Sequence, residues 1–456
     1  MTPTNTLKVR NDDVFHFALG AGGKFESGDA GVPTWAAAPF STKELRGQIE
    51  PWLTSLAQSE HLAVLIGAGL THAVHGIATG RGAAGMSKLS LTTPHAGSIE
   101  AAAKESATRA GREDGNLEDQ LRVANELVRG LEILAASGKA DAKKSAEQAT
   151  ALASELTESM GAFAKLILQS EAGIASAPDT QRNDAFTALI DFLMSFASRS
   201  GTRDRLNIFT TNYDRLIELG AELAGIHLID RFVGSLAPIF RSSRLDLDIH
   251  YNPPGIRGEP RYLEGVARFT KLHGSVDWLS TTDGDIRRLG LPFGADDLAA
   301  FLKAPGLADA SARQLMIYPN AAKDRETAEY PYVELFRDFA AATCRPNSTL
   351  VTYGYSFGDE HINRVIRDML TIPSSHLVII AYGDSPLGRI MKEYKQLGRN
   401  SQISLMIGPD LANLTTLTQQ FLPKPAIDRT TFRMVELLRQ RVGVDARGGA
   451  AGGGSV

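Results

Sequence analysis

The fold is decided by the stretch LAVLIGAGLT at residues 62–71. Residues 62–66 are a continuous apolar run, which is typical of a parallel strand that is buried on both faces of a sheet. The following Gly67-Ala68-Gly69 segment predicts a tight turn into a helix, because glycine adopts backbone conformations that other residues avoid. Glycines in such a turn also let the backbone approach a pyrophosphate closely. Such a turn is also a packing solution in many α/β proteins, so it indicates a fold before it indicates a ligand.

A helix is predicted before this stretch, and strands and helices alternate again from about residue 206. Helices are predicted over residues 42–59, 213–224, 332–343, 361–370 and 387–397, and further strands over residues 206–210, 268–272, 315–318, 349–353 and 376–381. This alternation predicts an α/β fold with a doubly wound, mainly parallel, Rossmann-like sheet. Because ligands of such sheets bind at the carboxyl ends of the strands, we expect the polar residues that follow the strands to lie close together.

The rest of the 456-residue chain divides by composition. Residues 1–40 lack sustained periodicity and are predicted to be an N-terminal arm, in which residues 13–19 could form one short element. Residues 441–456 are glycine-rich and are predicted to be a flexible tail. Residues 98–199 are rich in good helix formers and predict a helical insertion, which splits the α/β domain into residues 41–97 and 200–440. We expect its apolar stripes to pack within the chain or against another protomer, and the insertion to gate the site or build an oligomer.

Composition also limits the partners and the compartment. A formal net charge of -4 argues against nucleic acid as the main partner, because backbone phosphates attract a strongly basic surface. The single thiol, Cys344, allows neither an internal disulfide nor a zinc site built from cysteines, and no metal is expected. No segment approaches the ~18 consecutive apolar residues of a membrane helix, and the N-terminus has no signal pattern. A cytoplasmic location without membrane contact is therefore expected.

Two polar residues follow the strand predicted at residues 206–210. The amide of Asn212 can hydrogen-bond a ribose hydroxyl or hold a water molecule, although it cannot act as a base. Asp214 lies two residues further on. The alternative is that Asn212 or Asp214 caps the next helix, as such side chains commonly do.

A histidine and a polar loop follow two later strands. His273 lies between the strand predicted at residues 268–272 and Gly274, and an imidazole with a pKa near ~6.5 can accept a proton at neutral pH. A purely structural histidine is the alternative. Residues 353–363, with the sequence YGYSFGDEHIN, form a strand-to-helix junction that suits ribose hydroxyls and phosphate oxygens. Within it, Asp359 is either a cofactor ligand or the helix cap.

Taken in order, four segments resemble the sirtuin superfamily: the glycine turn, TTNYD at residues 210–214, LHG at residues 272–274 and the junction at residues 354–363. The resemblance covers residues 60–90 and 200–390, and it implies a site that binds and cleaves NAD+. It implies that the phosphates are contacted by Gly67, Ala68, Gly69 and Thr71, and that the nicotinamide and its ribose are bordered by Asn212 and Asp214. It makes His273 the catalytic base. The adenosine half is held by Gly354 and Ser356, and Asp359 is a further cofactor contact.

The chain departs from the protein deacylases of this superfamily. Those enzymes carry four cysteines that bind zinc beside the acyl-lysine groove, and Cys344 alone cannot build that module. Their Pro-x-Phe-Arg continuation after the glycine turn is also missing, and Arg81 stands nearby with a shifted spacing. A zinc-free domain with a large helical insertion resembles the bacterial anti-phage effectors that hydrolyse NAD+.

That resemblance implies an NAD+ glycohydrolase that produces nicotinamide and ADP-ribose and acts in abortive infection by depleting NAD+. The expected partners are a second copy of the chain, in a homo-oligomer, and a separate trigger such as a HerA-type ATPase. A separate ATPase is expected because the chain has no Gly-x-x-x-x-Gly-Lys-Ser/Thr loop of its own. Two alternatives stay open. They are a protein deacylase or ADP-ribosyltransferase, and a non-catalytic module that binds NAD+ or ADP-ribose.

Overall fold

The structure is a computed structural model of the 456-residue chain. It describes residues 4–10, 12–27, 32–84, 88–109, 114–115, 117–138, 141–197, 204–242, 247–252, 261–281, 283–303, 307, 315–317, 330–383 and 388–424. The tail predicted at residues 441–456 lies outside the described residues.

The strands are numbered in chain order. They are β1 (Asn5–Lys8), β2 (Phe15–Leu19), β3 (Phe25–Glu26), β4 (His61–Ile66), β5 (Leu206–Thr210), β6 (His227–Ile229), β7 (Phe232–Val233), β8 (Ile239–Phe240), β9 (His250–Tyr251), β10 (Arg261–Tyr262), β11 (Val266–Lys271), β12 (Gly274–Ser280), β13 (Ile286–Arg288), β14 (Leu315–Ile317), β15 (Ser348–Tyr353), β16 (His376–Ala381) and β17 (Ile403–Ile407).

The helices are numbered in the same way. They are α1 (Thr42–Ala57), α2 (Ala68–Thr79), α3 (Ala96–Arg109), α4 (Leu117–Ala135), α5 (Ala142–Ala175), α6 (Asp179–Ala197), α7 (Leu216–Leu223), α8 (Tyr332–Thr343), α9 (Glu360–Met369), α10 (Arg389–Leu397), α11 (Pro409–Ala412) and α12 (Leu414–Thr416). None of the described helices has both the length and the apolar character needed to cross a membrane.

The main sheet has ten described strands in the order β3-β2-β1-β17-β16-β15-β4-β5-β11-β6. The strands from β17 to β6 in this order are parallel. β1, β2 and β3 extend the β17 edge with antiparallel pairing. Helices cover both faces, so the prediction of an α/β fold with a doubly wound, mainly parallel sheet is confirmed.

The central strand β4 is buried on both of its faces. Leu62, Val64 and Ile66 belong to a core that includes residues of α1, α2, α6 and α7. Ala63 and Leu65 belong to the opposite core, with residues of α8, α9 and α10. Burial on both faces explains why the strand is a continuous apolar run, because neither set of alternating side chains faces water.

The first forty residues differ from the expected arm, because β1, β2 and β3 belong to the main sheet. The rings of Phe15, Phe17, Phe25 and Phe40 pack against one another there. The short element predicted at residues 13–19 corresponds to β2. These strands are too short for an alternating pattern to be visible in the sequence. Their stability depends on pairing with β17, a distant partner that local sequence does not reveal.

The helices between Ala96 and Ala197 belong to two different cores. α3, α4 and α5 pack with a second described sheet, of order β14-β12-β13-β8-β7, around residues such as Leu121 and Val276. α6 instead buries Leu189 and Phe192 in the main core, with α2 and α7. A boundary at residue 199 therefore does not separate an insertion from the α/β domain, because α6 is a structural helix of that domain. β14, expected within the main alternation, pairs with β12 in the second sheet.

Candidate active site

A cavity of about 410 Å³ lies at the carboxyl ends of the parallel strands. It is lined by the loops that follow β4 and β15, which are neighbours in the sheet. After β4 the chain forms β5 on one side of it, and later returns to form β15 on the other side. Doubly wound sheets bind ligands at such a topological switch point, and the volume is in the ~300–1,000 Å³ range of small-molecule sites.

Most of the residues predicted from the sequence line this cavity. They are Gly67, Ala68, Thr71, Asn212, Asp214, His273, Gly354, Ser356 and Asp359. The four separate motifs therefore converge on one place, as the geometry of a parallel sheet requires. Gly69 is not among the lining residues in the described part of the chain.

The two glycines after β4 pack against the loop after β15. A Cβ atom on Gly69 would lie 2.5 Å from Cα of Gly354, and one on Gly67 would lie 2.5 Å from the Gly354 carbonyl oxygen. The N–H of Gly67 donates to the Tyr353 carbonyl, and that of Gly69 donates to the Gly354 carbonyl. The N–H of Gly69 is therefore already bonded and the space beside it is filled, so this geometry gives no support to the predicted contact of Gly69 with the phosphates. Gly354 has a φ of 61°, in the left-handed region that favours glycine.

Asn212 is held in place through its amide nitrogen. Nδ2 donates to the Gly67 carbonyl and to Oγ1 of Thr71, each at 3.0 Å. The backbone N–H of Asn212 donates to Oγ1 of Thr210. The side chain is buried and lines the cavity. Because both amide hydrogens are bonded within the protein, Oδ1 is the atom that can accept a hydrogen bond from a ligand.

Asp214 contacts both the first residue of a helix and the turn after β4. Its Oδ1 accepts the backbone N–H of Leu216, at the start of α7, at 3.1 Å. Its Oδ2 accepts the hydroxyl of Thr71 at 2.5 Å. The N-cap position of α7 is Arg215, so Asp214 bonds the first helical N–H from one residue before the cap, and the same carboxylate also lines the cavity. Thr71 connects Asn212 to Asp214 through consecutive hydrogen bonds.

His273 forms a buried pair with Asp359. Nε2 of the imidazole lies 2.7 Å from Oδ2 of the carboxylate, and the two side chains are 10% and 6% exposed. Oδ1 of Asp359 accepts the backbone N–H of His361 and so caps α9. A carboxylate at Nε2 favours the tautomer that carries its proton there, which makes Nδ1 the proton-accepting atom. Asp359 is therefore both the helix cap foreseen as an alternative and the partner of the histidine.

Two buried cations anchor the loop at residues 211–215. Arg215 pairs with Glu171 of α5, whose Oε1 also accepts the backbone N–H of Arg215 at 2.7 Å. Nζ of Lys271, at the end of β11, donates to the carbonyl of Asp214. Burial raises the pKa of the Glu171 carboxyl, and the charge of Arg215 opposes that rise. The loop that carries Asn212 is thus tied to a helix outside the main sheet as well as to a neighbouring strand.

Two buried tyrosines also line the cavity. Burial, together with the nearby Glu118 carboxyl, raises the pKa of Tyr213 well above its usual value. Burial and Asp359 do the same for Tyr355. The hydroxyl of Tyr355 donates to Oδ1 of Asn363 at 3.0 Å. Both phenols are therefore neutral at physiological pH and act as apolar walls with a polar end.

Part of the cavity wall was not indicated by the sequence. Glu118 of α4, together with Phe163, Ile167 and Ser170 of α5, lines the cavity, and so does Arg389 at the start of α10. An apolar stripe on a helix is usually core packing, so Phe163 and Ile167 carried no signal of a site. Arg389 could have been recognised from its position, because it begins the helix after β16, at the edge of the sheet where the other motifs lie.

The described lining offers three histidines (His72, His273 and His361), several carboxylates, the amide of Asn212 and one guanidinium for chemistry. Across the residues whose structure is described, no group of three or more His, Cys, Asp or Glu side chains is arranged to hold a metal ion. The arrangement can orient a polar ligand and accept a proton from it at Nδ1 of His273.

Residues 206–402 match the family described as the SIR2-like domain. The match runs from β5 to the residue before β17, covers somewhat less than half of the chain, and includes Asn212, His273 and Asp359. The glycine turn lies before the matched segment. The comparison with curated proteins found no match. The matched segment supports a sirtuin-like family of NAD-related enzymes, in agreement with the motifs around the cavity.

Proposed function

We propose that the protein is an NAD+ glycohydrolase, which cleaves NAD+ to nicotinamide and ADP-ribose. The observation that carries this proposal is the buried His273–Asp359 pair on the wall of the cavity that Asn212 also lines. Hydrolysis of the bond between ribose and nicotinamide needs a base for water and a group that positions it. The SIR2-like match of residues 206–402 supports NAD+ as the substrate.

The reaction consists of a bond cleavage and a capture by water. Nicotinamide leaves with the electron pair of its bond to C1′ of the ribose, which neutralises its ring and leaves an oxocarbenium-like ribosyl group. Water attacks C1′, and the proton of the water passes to Nδ1 of His273. Asp359 stabilises the resulting imidazolium through Nε2. The products are nicotinamide, ADP-ribose and one proton.

The role of Asn212 follows from the side-chain atom that can still bind a ligand, which is Oδ1. With Nδ2 bonded to Gly67 and Thr71, its Oδ1 accepts a hydrogen bond from the attacking water or from a ribose hydroxyl. The bonds from Thr71 to Asn212 and Asp214 keep the amide from rotating. Such positioning lowers the barrier because the reacting groups are held near their reactive geometry before the reaction.

The composition of the chain supports water as the acceptor, in preference to an acyl-lysine. The four-cysteine zinc module that borders the acyl-lysine groove of the deacylases cannot be built from Cys344 alone. Side chains of α4 and α5 line the cavity in this protein.

The proposed biological role is anti-phage defence by depletion of NAD+, supported by the resemblance to zinc-free effectors with a helical insertion. Self-association and contact with a HerA-type ATPase belong to the same proposal. α4 and α5 expose Ile133, Leu134 and Leu166 to solvent, which supports a contact surface on these helices. Light scattering on the protein, alone and after co-expression with a candidate ATPase, measures whether either assembly forms.

The enzymatic proposal is tested by incubating the purified protein with NAD+ and separating nicotinamide and ADP-ribose by chromatography. His273→Ala and Asn212→Ala are compared with His227→Ala, a matched control because His227 is exposed on β6. We expect equimolar products from the parent and the control. Loss of the base lowers turnover by about 100- to 10,000-fold. Release that depends on an acylated peptide, or ADP-ribose attached to protein, would instead indicate a transferase.

A further inference from the structure

The charges around the cavity are unevenly distributed. Four lining side chains are carboxylates, namely Glu118, Asp214, Asp359 and Glu360, whereas Arg389 is the one Lys or Arg among the described lining residues. A dinucleotide carries two negative charges on its pyrophosphate, and burying them requires a positive charge or several amide donors nearby. Arg389 is therefore the permanently charged cation of the described lining that can match such a ligand.

Two other candidate phosphate ligands suggested by the sequence are less well placed. Arg81, which the shifted motif suggested, is exposed after α2 and is not among the lining residues in the described ranges. The N–H groups of Gly67 and Gly69 are bonded to the carbonyls of Tyr353 and Gly354. The glycine turn thus offers fewer amides to a phosphate than its sequence suggests.

The space for the Arg389 guanidinium is created by a glycine. A Cβ atom on Gly358 would lie 2.8 Å from Nη1 of Arg389 and 3.4 Å from Oγ of Ser356. The guanidinium and the serine hydroxyl therefore border the same point beside Gly358. A planar guanidinium with several N–H donors, next to a hydroxyl, is a common arrangement for binding phosphate oxygens.

We infer that Arg389 and Ser356 bind the diphosphate of the substrate, with Gly358 keeping the space in which the guanidinium lies. This inference rests on the proposed function for the identity of the substrate, and it extends that function by naming the chemical class the cavity selects, a nucleoside diphosphate. It assigns Arg389 to substrate binding and leaves proton transfer with His273. A substrate that has the nicotinamide–ribose bond but no diphosphate, such as nicotinamide riboside, lacks this contact.

The test measures the binding of ADP, ADP-ribose and adenosine to the full chain by calorimetry. Arg389→Ala is expected to weaken ADP and ADP-ribose by about 10- to 100-fold and to leave adenosine unchanged, because a hydrogen bond to a charged group contributes on that scale. Arg389→Lys keeps the charge without the planar donors, so it is expected to retain part of the affinity. Arg364→Ala is the matched control, since Arg364 is exposed on α9 outside the cavity.

Gly358→Ala provides a second variant that keeps Arg389 but displaces it. We expect it to weaken ADP in the same direction as Arg389→Ala, and a melting curve shows whether each variant is folded. If Arg389→Ala does not fold, Gly358→Ala decides the question. Unchanged ADP affinity in the folded variants, or equal losses for adenosine and ADP, would overturn the inference, as would a parent protein that binds no ADP.

Turnover separates this inference from the proposed function. If the parent protein hydrolyses NAD+, Arg389→Ala is expected to raise KM with little change in kcat, because a contact away from the reacting bond contributes equally to substrate and transition state. If the parent binds ADP through Arg389 but releases no nicotinamide, the diphosphate site stands and the hydrolase proposal fails. If the parent protein is an active hydrolase and its Arg389→Ala variant keeps the parental KM and ADP affinity, the diphosphate site is contradicted and the hydrolase proposal is not.

Discussion

Nε2 of His273 lies 2.7 Å from Oδ2 of Asp359, although the two residues are 86 positions apart in the sequence. The contact joins the end of β11 to the start of α9, two elements that only the parallel sheet brings together. Because both side chains are buried, water competes little for this hydrogen bond. The hydrogen bond holds the imidazole in one orientation, as the proposed role of His273 as a base requires.

Asp359→Asn is expected to reduce turnover of NAD+ by about 100-fold or more, because an amide in place of the carboxylate no longer favours the correct tautomer of His273 or stabilises its charged form. Asparagine is also a good N-cap, so the cap on α9 is kept and stability should change by less than about 1 kcal/mol. Initial rates and melting temperature measure the two effects separately. A large loss of stability, or an unchanged rate, would contradict the role of the pair.

Glu171→Ala is expected to destabilise the protein by about 3–5 kcal/mol, because it leaves the buried guanidinium of Arg215 without its partner. The loop of Asn212 should also lose its tie to α5, and turnover should fall. Glu158→Ala on the same helix is the control, because Glu158 is exposed. Urea unfolding of Glu171→Ala, Arg215→Ala and the double variant gives the coupling energy. Additive losses in that cycle would show that the pair does not act as a unit.

Gly69→Ala is expected to destabilise the protein by about 1–3 kcal/mol, because the new methyl group would lie 2.5 Å from Cα of Gly354 and would push the two loops apart. Affinity for ADP-ribose should fall with it. Gly76→Ala is a control on the same helix, since the nearest atom to its Cβ is 3.8 Å away. Alanine favours helix over glycine, so this control should be stabilised by up to about 1 kcal/mol. Equal melting temperatures for the two variants would argue against the close loop contact.

Acid is expected to destabilise the fold through His376. Burial, with a smaller contribution from Lys8, lowers the pKa of this histidine from its usual 6.5 to about 4. Its Nε2 lies 2.9 Å from Oγ of Ser404, on β17. Between pH 6.5 and pH 4 the unfolded chain binds the proton more readily than the folded chain. The contribution is therefore complete above pH 6.5 and is lost as the pH falls to 4, by about 3 kcal/mol in total.

Chemical unfolding at pH 7 and pH 4.5 measures this effect, with His376→Gln as the comparison. The glutamine variant has no group that titrates at this position, so the difference in unfolding free energy between the two pH values should be smaller than in the parent. The same difference in both proteins would assign the acid sensitivity to other groups.

The sequence was sufficient to predict those strands whose buried, mainly apolar residues are contiguous in the chain. β4 is largely an apolar run and β5 has three apolar residues of five, both within a parallel sheet, and their residues were predicted within one position of the observed strands. The N-terminal strands β1 to β3 were missed because each is short and depends on pairing with the β17 edge. α6 was assigned to an insertion because composition predicts a helix but not the core into which it packs.

The same distinction applies to the site. Asn212 and His273 were found because they follow strands, and the carboxyl ends of parallel strands meet at one edge. The contact of Asp359 with His273 is a long-range hydrogen bond, so the sequence indicated only a helix cap or a cofactor contact for Asp359. Arg389 was missed because its placement depends on the space left by Gly358, which is a property of the folded loop.

The most direct test of the central claim is the release of nicotinamide from NAD+ by the parent protein and by His273→Ala, followed by chromatography over time. The account predicts nicotinamide and ADP-ribose in equal amounts from the parent, with the rate in His273→Ala reduced by at least about 100-fold while ADP-ribose binding is kept. Release at the parental rate from His273→Ala, or a parent protein that binds NAD+ and leaves it intact, would contradict it.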